Sequence, residues 1–259
     1  MHPAETSGIN PLSINQPPLL EIACFNISSA IAAAQAGADR IELCDNPADG
    51  GTTPSFGTIQ SALVKIAVPV FPIIRPRGGD FLYTDEEYEV MLHDVQLCRQ
   101  LNCKGVVLGM LLKDGRIDVQ RTALLVQAAG PMAVTFHRAF DRAVHPLQAL
   151  EDVIKAGCTR LLTSGQKGTA IEGKDLIKQL VEQAANRIVV MPGSGVRSYN
   201  MAELAQYTGA SEFHSSARMP VPSAMQFRVK DFGEEPGNID VDKIEIKKMK
   251  TVFNNIHSY

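Results

Sequence analysis

The segment Gly37-Ala-Asp-Arg-Ile-Glu-Leu-Cys44 joins a small-residue helix stop to a short apolar strand. The same pattern returns at three later points of the chain, in Asn102-Cys-Lys-Gly-Val-Val-Leu-Gly109, Gly157-Cys-Thr-Arg-Leu-Leu-Thr-Ser164 and Gly209-Ala-Ser-Glu-Phe-His-Ser-Ser216. Successive copies begin 52 to 65 residues apart, which is about twice the length of one strand-plus-helix unit. We therefore predict that these segments are alternate strands of a longer series.

Four further apolar runs lie between these segments. They are rich in Val and Ile and bounded by Pro or Gly, as expected of strands that are buried on both faces. They occupy residues 19–25, 70–75, 132–137 and 187–192. The chain is therefore predicted to contain eight strands.

Helix signals separate the predicted strands. Thr84-Asp-Glu-Glu87 is a capping box, and Thr53 followed by Pro54 predicts a helix cap with proline at the first helical position. Residues 219–240 are predicted to be irregular, and residues 241–257 to form an amphipathic closing helix. The other helices are expected to begin after Ser28, at Asp118, at Pro146, near Asp175 and at Asn200.

This alternation of strands and helices predicts an α/β fold, a single (β/α)8 barrel. The barrel is expected to span residues 19–259, preceded by a flexible tail over residues 1–18. A division into two domains is disfavoured because every unit belongs to the same series.

Composition excludes several classes of protein. The 259 residues are 45% hydrophobic and 20% charged, as in an ordinary globular domain. A net charge of −3 lacks the basic excess of a nucleic-acid binder, and no apolar run approaches the ~20 residues of a membrane span. The first residues do not form a signal peptide and the five cysteines fit reduced thiols, so we expect a cytoplasmic protein.

Reactive side chains lie at the ends of the predicted strands, where barrel enzymes carry their active sites. Glu21 and Glu42 end the first two strands, and His137 and His214 end the fifth and the eighth. Each residue alone fits a satisfied polar layer equally well. Charged side chains are rarely buried unpaired, so their convergence on one end of a barrel predicts a ligand pocket there.

Several groups at these strand ends suit an anionic ligand. Arg75, Arg77 and Arg138 offer guanidinium forks that match carboxylate or phosphate. The Pro192-Gly-Ser-Gly195 loop offers backbone N–H groups, although glycine after a strand is also a common turn. The remaining candidates for anion binding are Thr163, Ser164, Gly193, Gly195, His214, Ser215 and Ser216.

Side-chain parity separates two of the cysteines. Neighbouring residues of a strand point to opposite faces, so Glu42 shares a face with Cys44, whereas Glu21 shares a face with Ala23 and not with Cys24. If the two glutamates occupy one layer, Cys44 points into the pocket and Cys24 points towards the helices. Cys98, Cys103 and Cys158 are expected to be packing residues.

Four motifs carry a family resemblance. Arg75-Pro-Arg-Gly-Gly-Asp-Phe81, Val134-Thr-Phe-His-Arg-Ala-Phe-Asp141, Leu162-Thr-Ser-Gly165 and Glu212-Phe-His-Ser-Ser-Ala217 occur in this order. Together they resemble the copper homeostasis protein CutC family over about residues 19–228. The resemblance implies a (β/α)8 barrel, a cytoplasmic setting, a homo-oligomer and a role in copper handling.

The copper site implied by this resemblance uses a Glu-x-Cys in each of the first two strands. Here the second is intact as Glu42-Leu-Cys44, but the first reads Glu21-Ile-Ala23, with the cysteine displaced to Cys24. Copper(I) prefers thiolates, so Cys44 and, less directly, Cys24 are the candidate ligands. A shift of one residue turns the Cys24 thiol to the other face unless the strand bulges.

Two main functional hypotheses follow. The first is a copper(I)-binding homeostasis protein, which the family resemblance favours. The second is an enzyme acting on a small anionic or phosphorylated metabolite, with Glu21, Glu42, His137 and Asp141 as candidate acid–base groups. A scaffold role is a third option, and no motif for a nucleotide or organic cofactor is evident.

Overall fold

The computed structural model describes residues 19–227 and 237–256, so the predicted tail over residues 1–18 lies outside the described residues. Eight strands follow the predicted order. They are β1 (Leu19–Cys24), β2 (Arg40–Leu43), β3 (Val70–Pro72), β4 (Gly105–Leu108), β5 (Ala133–Phe136), β6 (Arg160–Thr163), β7 (Val189–Pro192) and β8 (Glu212–Ser215). The helices are α1 (Ile27–Ala36), α2 (Phe56–Lys65), α3 (Asp85–Gln100), α4 (Val119–Ala129), α5 (Pro146–Lys155), α6 (Lys174–Ala184), α7 (Ser198–Thr208) and α8 (Lys243–Ile256).

These strands form the parallel sheet of a (β/α)8 barrel, which confirms the predicted fold. Backbone pairing runs in the order β3-β2-β1-β8 in one half and β4-β5-β6-β7 in the other. A bridge between Ile73 and Val107 joins β3 to β4. Within the described residues no backbone ladder joins β7 to β8, where the Ser215 hydroxyl donates to the Val196 carbonyl at 2.7 Å.

Two helix starts illustrate how local chemistry sets the boundaries. The predicted capping box of α3 is confirmed, because Thr84 and Glu87 each accept a hydrogen bond from the other's backbone N–H. The predicted cap of α2 is wrong. Ser55 caps that helix by accepting from the Thr58 N–H at 3.2 Å, because the Thr53 hydroxyl accepts from the Arg75 N–H instead.

Part of the segment predicted to be irregular is a hairpin. Strands β9 (Arg218–Val221) and β10 (Asn238–Val241) pair antiparallel, with Pro220 opposite Ile239. Proline is tolerated in an edge strand because it need not donate to a ladder, and its presence here hid the strand. The closing helix α8 then buries Ile246, Met249 and Phe253, whereas Ile244 stays 67% exposed.

The barrel interior contains ions as well as apolar side chains. Arg40 on β2 donates to Glu21 on β1 and, at 2.7 Å, to Glu212 on β8. Arg160 on β6 donates to the same Glu212 carboxylate at 2.8 Å, and Phe71 packs against both guanidinium groups. This interior ion network is buried, and Glu21 links it to His214.

The apolar core consists of two regions. The larger lies between strands and helices and contains Cys24, whereas a smaller cluster inside the barrel contains Cys44, Phe71, Ile73 and Val107. None of the helices in the described part of the chain combines the length and apolar character needed to cross a membrane.

Candidate functional site

Three polar side chains lie close together at one end of the ion network. Glu21, Glu42 and His214 each offer a ligand atom within 4.8 Å of the others. Glu21 Oε1 lies 2.8 Å from His214 Nδ1, and His214 Nε2 lies 3.6 Å from Glu42 Oε2. The register explains the meeting, because Glu21 is opposite His214 and Glu42 is opposite Ala23 on the adjacent strand.

The environment gives the two carboxyl groups different acidities. Burial alone would raise the pKa of Glu21, but Arg40 and His214 together lower it to about 2. Burial raises the pKa of Glu42 to about 7, against the opposing charge of His214. Glu21 is therefore a fixed anion, whereas Glu42 exchanges a proton near neutral pH.

His214 links the two carboxyl groups. Burial lowers its pKa, but the hydrogen bond with Glu21 and the charge of Glu42 outweigh burial and raise it. Because the ionised Glu21 accepts from Nδ1, the Nε2 atom is turned towards Glu42. The three residues therefore form a chain through which a proton can be held or moved.

A cavity of about 710 Å³ opens above this chain at the C-terminal mouth of the barrel. Glu42 and His214 lie in its wall, together with His137 on the other half of the barrel. The loops after β7 and β8 complete the rim with Ser194, Gly195, Val196, Arg197, Ser215, Ser216 and Arg218. Glu21, Cys24 and Cys44 are not part of the described wall.

His137 is a neutral imidazole inside the barrel mouth. It is 4% exposed, and its Nδ1 accepts from the Ala139 N–H at 3.2 Å. Burial, followed by the charge of Arg75, lowers its pKa to about 3. The ring therefore carries its proton on Nε2, which has no hydrogen-bond partner among the described residues.

The three arginines proposed to hold an anion have different roles. Arg75 lines the cavity and is held by backbone carbonyls, and Arg138 lines it while bonded to Asp141 at 2.8 Å. Arg77 is absent from the described cavity wall and forms ion pairs with Glu87 and Asp80. The structure therefore does not support its predicted place in the anion clamp.

Asp141 lines the cavity but its oxygens are already occupied. They accept from the Thr163 hydroxyl at 2.5 Å, from the N–H and hydroxyl of Ser164, and from the Gln166 N–H. A carboxylate so fully bonded organises the loop after β6. Thr163 and Ser164 belong to this network and lie outside the described cavity wall.

Gly193 also lies outside that wall, and its role is close packing. A Cβ atom at this position would lie 2.4 Å from the Leu162 side chain and 3.3 Å from His214. Only glycine lets the residue after β7 lie so close to the Leu162 side chain. Gly195, Ser215 and Ser216, in contrast, do line the cavity as predicted.

The two candidate copper ligands face different surroundings. Cys24 packs in the core between strands and helices, with its thiol 3.7 Å from the Ile22 carbonyl. Cys44 lies in the barrel interior, where Gly51 covers it. Burial raises the pKa of both thiols, and the charge of Glu42 adds to this. The two cysteines belong to different clusters and, as placed, do not fit a shared two-thiolate copper(I) site. Cys44, which was expected to point into the pocket, lies outside the described cavity wall.

The Glu21, Glu42 and His214 set contains oxygen and nitrogen donors, which suit harder ions than copper(I). Glu21 is already committed to Arg40 and His214. The set is therefore better described as a proton-holding chain than as a metal centre.

The cavity residues that the sequence does not single out include one aromatic residue and three arginines. Phe81, Arg142, Arg197 and Arg218 all line the mouth. Phe81 had been part of a quoted motif, and its ring packs on His137 with centroids 4.9 Å apart. The three arginines lie beyond the ends of the barrel strands, so the alternation of strand residues does not predict which way their side chains point.

The family model described as the CutC family matches residues 18–219. The chain belongs to the CutC family. A CutC family protein from Chromobacterium violaceum is 54% identical over 222 residues, covering 86% of this chain and 90% of the relative. Another from Xylella fastidiosa is 46% identical over 228 residues, covering 87% and 85%.

Solved structures agree with this assignment. The CutC protein of Streptococcus agalactiae, whose name proposes a role in copper homeostasis, is 35% identical with a TM-score of 0.73 and covers 77% of this chain and 98% of that chain. Thiamine phosphate pyrophosphorylase from Pyrococcus furiosus is similar in fold alone, at 14% identity, a TM-score of 0.59 and 93% and 97% coverage. This CutC family member thus has the barrel that the repeat predicted.

Proposed function

We propose that the cavity at the mouth of the barrel binds a small anionic metabolite and that Glu42 transfers a proton to or from it. The observation that supports this most is the chain from Glu42 through His214 to Glu21, with Glu42 in the cavity wall. A carboxyl with a pKa of about 7 is suited to acid–base catalysis at neutral pH.

Each member of the chain has a distinct part in this proposal. Glu42 takes the proton, because it alone of the two glutamates borders the cavity. His214 shares the proton through Nε2, which is 3.6 Å from Glu42 Oε2. Glu21 does not touch the ligand; it fixes the His214 ring through Nδ1 and keeps a negative charge beneath it.

Proton exchange tests this proposal directly. The protein is incubated in D2O with a panel of small carboxylated and phosphorylated metabolites, and loss of C–H signals is followed by ¹H NMR. Glu42→Gln is expected to slow any exchange by about 100-fold or more, whereas Glu86→Gln on the outer surface serves as control. Equal exchange rates in wild type and Glu42→Gln, or none with any compound, would contradict the proposal.

Copper(I) binding is a second proposal, supported by the name of the Streptococcus agalactiae relative and by the position of Cys44 on the interior face. It requires the Cys24 thiol to leave its packing between strands and helices. A Cu(I) titration against a competing chelator tests it with Cys44→Ser, and Cys158→Ser is the matched buried control. Identical curves for wild type and Cys44→Ser would rule out thiolate binding at this site.

We also propose a cytoplasmic location and a homo-oligomeric state, both of which rest on the family resemblance. Fractionation of cells and sedimentation of the purified chain test them.

A further inference from the structure

Arg75 is a buried cation in the cavity wall that has no carboxylate partner among the described residues. It is 5% exposed. Its terminal nitrogens donate to the backbone carbonyls of Asp49 at 2.6 Å, Gly51 at 2.7 Å and Gly79 at 3.1 Å. These carbonyl groups accept from the terminal nitrogens without neutralising the charge, and Arg75 Nε is buried without a partner in the described structure. An uncompensated buried charge is costly.

His137 has a buried hydrogen-bond donor without a partner among the described residues. Its Nδ1 already accepts from Ala139, so the neutral ring carries a donor at Nε2, which is buried without a partner in the described structure. A buried donor left without an acceptor destabilises the folded protein. Gly109 makes room for this ring, because a Cβ there would lie 2.5 Å from His137 Nδ1.

One aromatic ring lies against both groups. The centroid of Phe81 is 4.9 Å from that of His137 and 5.0 Å from the Arg75 guanidinium carbon. Phe81 is itself half-buried in the cavity wall, so its side chain has solvent to turn into. Its backbone is fixed, since the Phe81 carbonyl accepts from the Leu111 N–H at 2.9 Å.

We propose that Arg75 and His137 form a subsite for a carboxylate group of the ligand, which the Phe81 ring covers and uncovers. This inference rests on the proposal that the cavity binds a small anion, and it names the anionic group. A carboxylate carries a single negative charge, which matches the single buried cation at this position. The N–H of His137 satisfies one oxygen, while the guanidinium of Arg75 supplies the charge.

Malonate and inorganic phosphate are the probes for this subsite, measured by calorimetry on the full chain. Because Arg75 also donates to three loop carbonyls, replacing it would disturb those loops. The test therefore uses variants of His137. His137→Phe keeps a ring against Phe81 but loses the donor, and it is expected to weaken malonate binding by roughly tenfold or more. His137→Gln retains a donor and is expected to recover most of the affinity.

Arg142→Gln is the matched charge control. Arg142 also packs on the Phe81 ring and lines the same cavity. It is exposed to solvent, so screening should keep its effect well below that of His137→Phe. Thermal unfolding of each variant checks that the barrel is intact. In the wild-type protein, malonate should also shift the ¹H and ¹⁵N resonances of His137 Nε2–H.

The outcomes separate the two proposals. Malonate binding with equal affinity in wild type and His137→Phe, or an unmoved Nε2–H resonance, would overturn the subsite but leave anion binding by the cavity intact. Phosphate binding without malonate binding would also overturn it. If neither probe binds to the wild-type protein, both the subsite and an anion-binding cavity are contradicted.

Discussion

Burial is the main cause of the raised pKa of Glu42. Its folded pKa of about 7 lies above the ordinary value of 4.5, so the folded protein binds an extra proton between these two pH values. The stability that Glu42 contributes is therefore fully present below pH 4.5 and is lost as the pH rises through 7.

Glu42→Gln should remove this pH dependence. We expect the variant to gain about 1–3 kcal/mol of stability relative to wild type on going from pH 4.5 to pH 8. Urea unfolding at the two pH values measures it. Glu21→Gln should behave oppositely, because the folded pKa of Glu21 is about 2 and its contribution is lost only as the pH falls below 4.5. A constant difference between wild type and Glu42→Gln would contradict the assignment.

At the scale of elements, Gly109, the residue after β4, packs closely against its neighbours because it has no side chain. A Cβ on Gly109 would lie 2.5 Å from the His137 ring, which is buried. We expect Gly109→Ala to cost about 1–3 kcal/mol and to displace that ring. Gly57→Ala on α2 has no atom within 4 Å of the new Cβ, and helix propensity predicts a neutral or slightly stabilising change. Chemical denaturation of both variants makes the comparison, and equal effects would argue against crowding at His137.

Substitutions of Ser55 test whether this residue caps helix α2. Ser55→Ala should lose about 1 kcal/mol because the Thr58 N–H loses its acceptor. Ser55→Asp restores an acceptor and should recover most of the loss. If Ser55→Ala had no effect on the unfolding midpoint, another group would have to cap this helix.

The same elements show how far the sequence alone can lead. Apolar runs and caps located the strands and most helices, because those signals are local. Alternation along the second strand is local for the same reason, and Glu42 and Cys44, which it puts on one face, both lie inside the barrel. The sequence did not predict contacts between residues further apart along the chain. Arg77 forms an ion pair with Glu87, and the Thr53 hydroxyl accepts from the Arg75 N–H, 22 residues away.

At the scale of the whole molecule, the interior ion network joins the two halves of the barrel where backbone pairing does not. Arg40 lies in the β3-β2-β1-β8 half and Arg160 in the other, and both donate to Glu212. Side chains on β2 and β6 are thereby tied to β8, beside the β7–β8 junction. The network is buried, since Arg40 is 2% exposed and Glu21 0%.

Removing one member should therefore weaken the whole barrel. Arg40→Met leaves Glu21 and Glu212 without their shared cation, and we expect a loss of about 3–5 kcal/mol. Arg40→Lys keeps the charge but lacks the fork that reaches both carboxylates, so its loss should be smaller but still clear. Arg116→Met, which breaks an exposed and solvent-screened pair with Asp114, should have a much smaller effect. Urea unfolding of the four proteins decides the matter: if Arg40→Met and Arg116→Met lose similar stability, the interior network does not hold the halves together, and backbone pairing with apolar packing suffices.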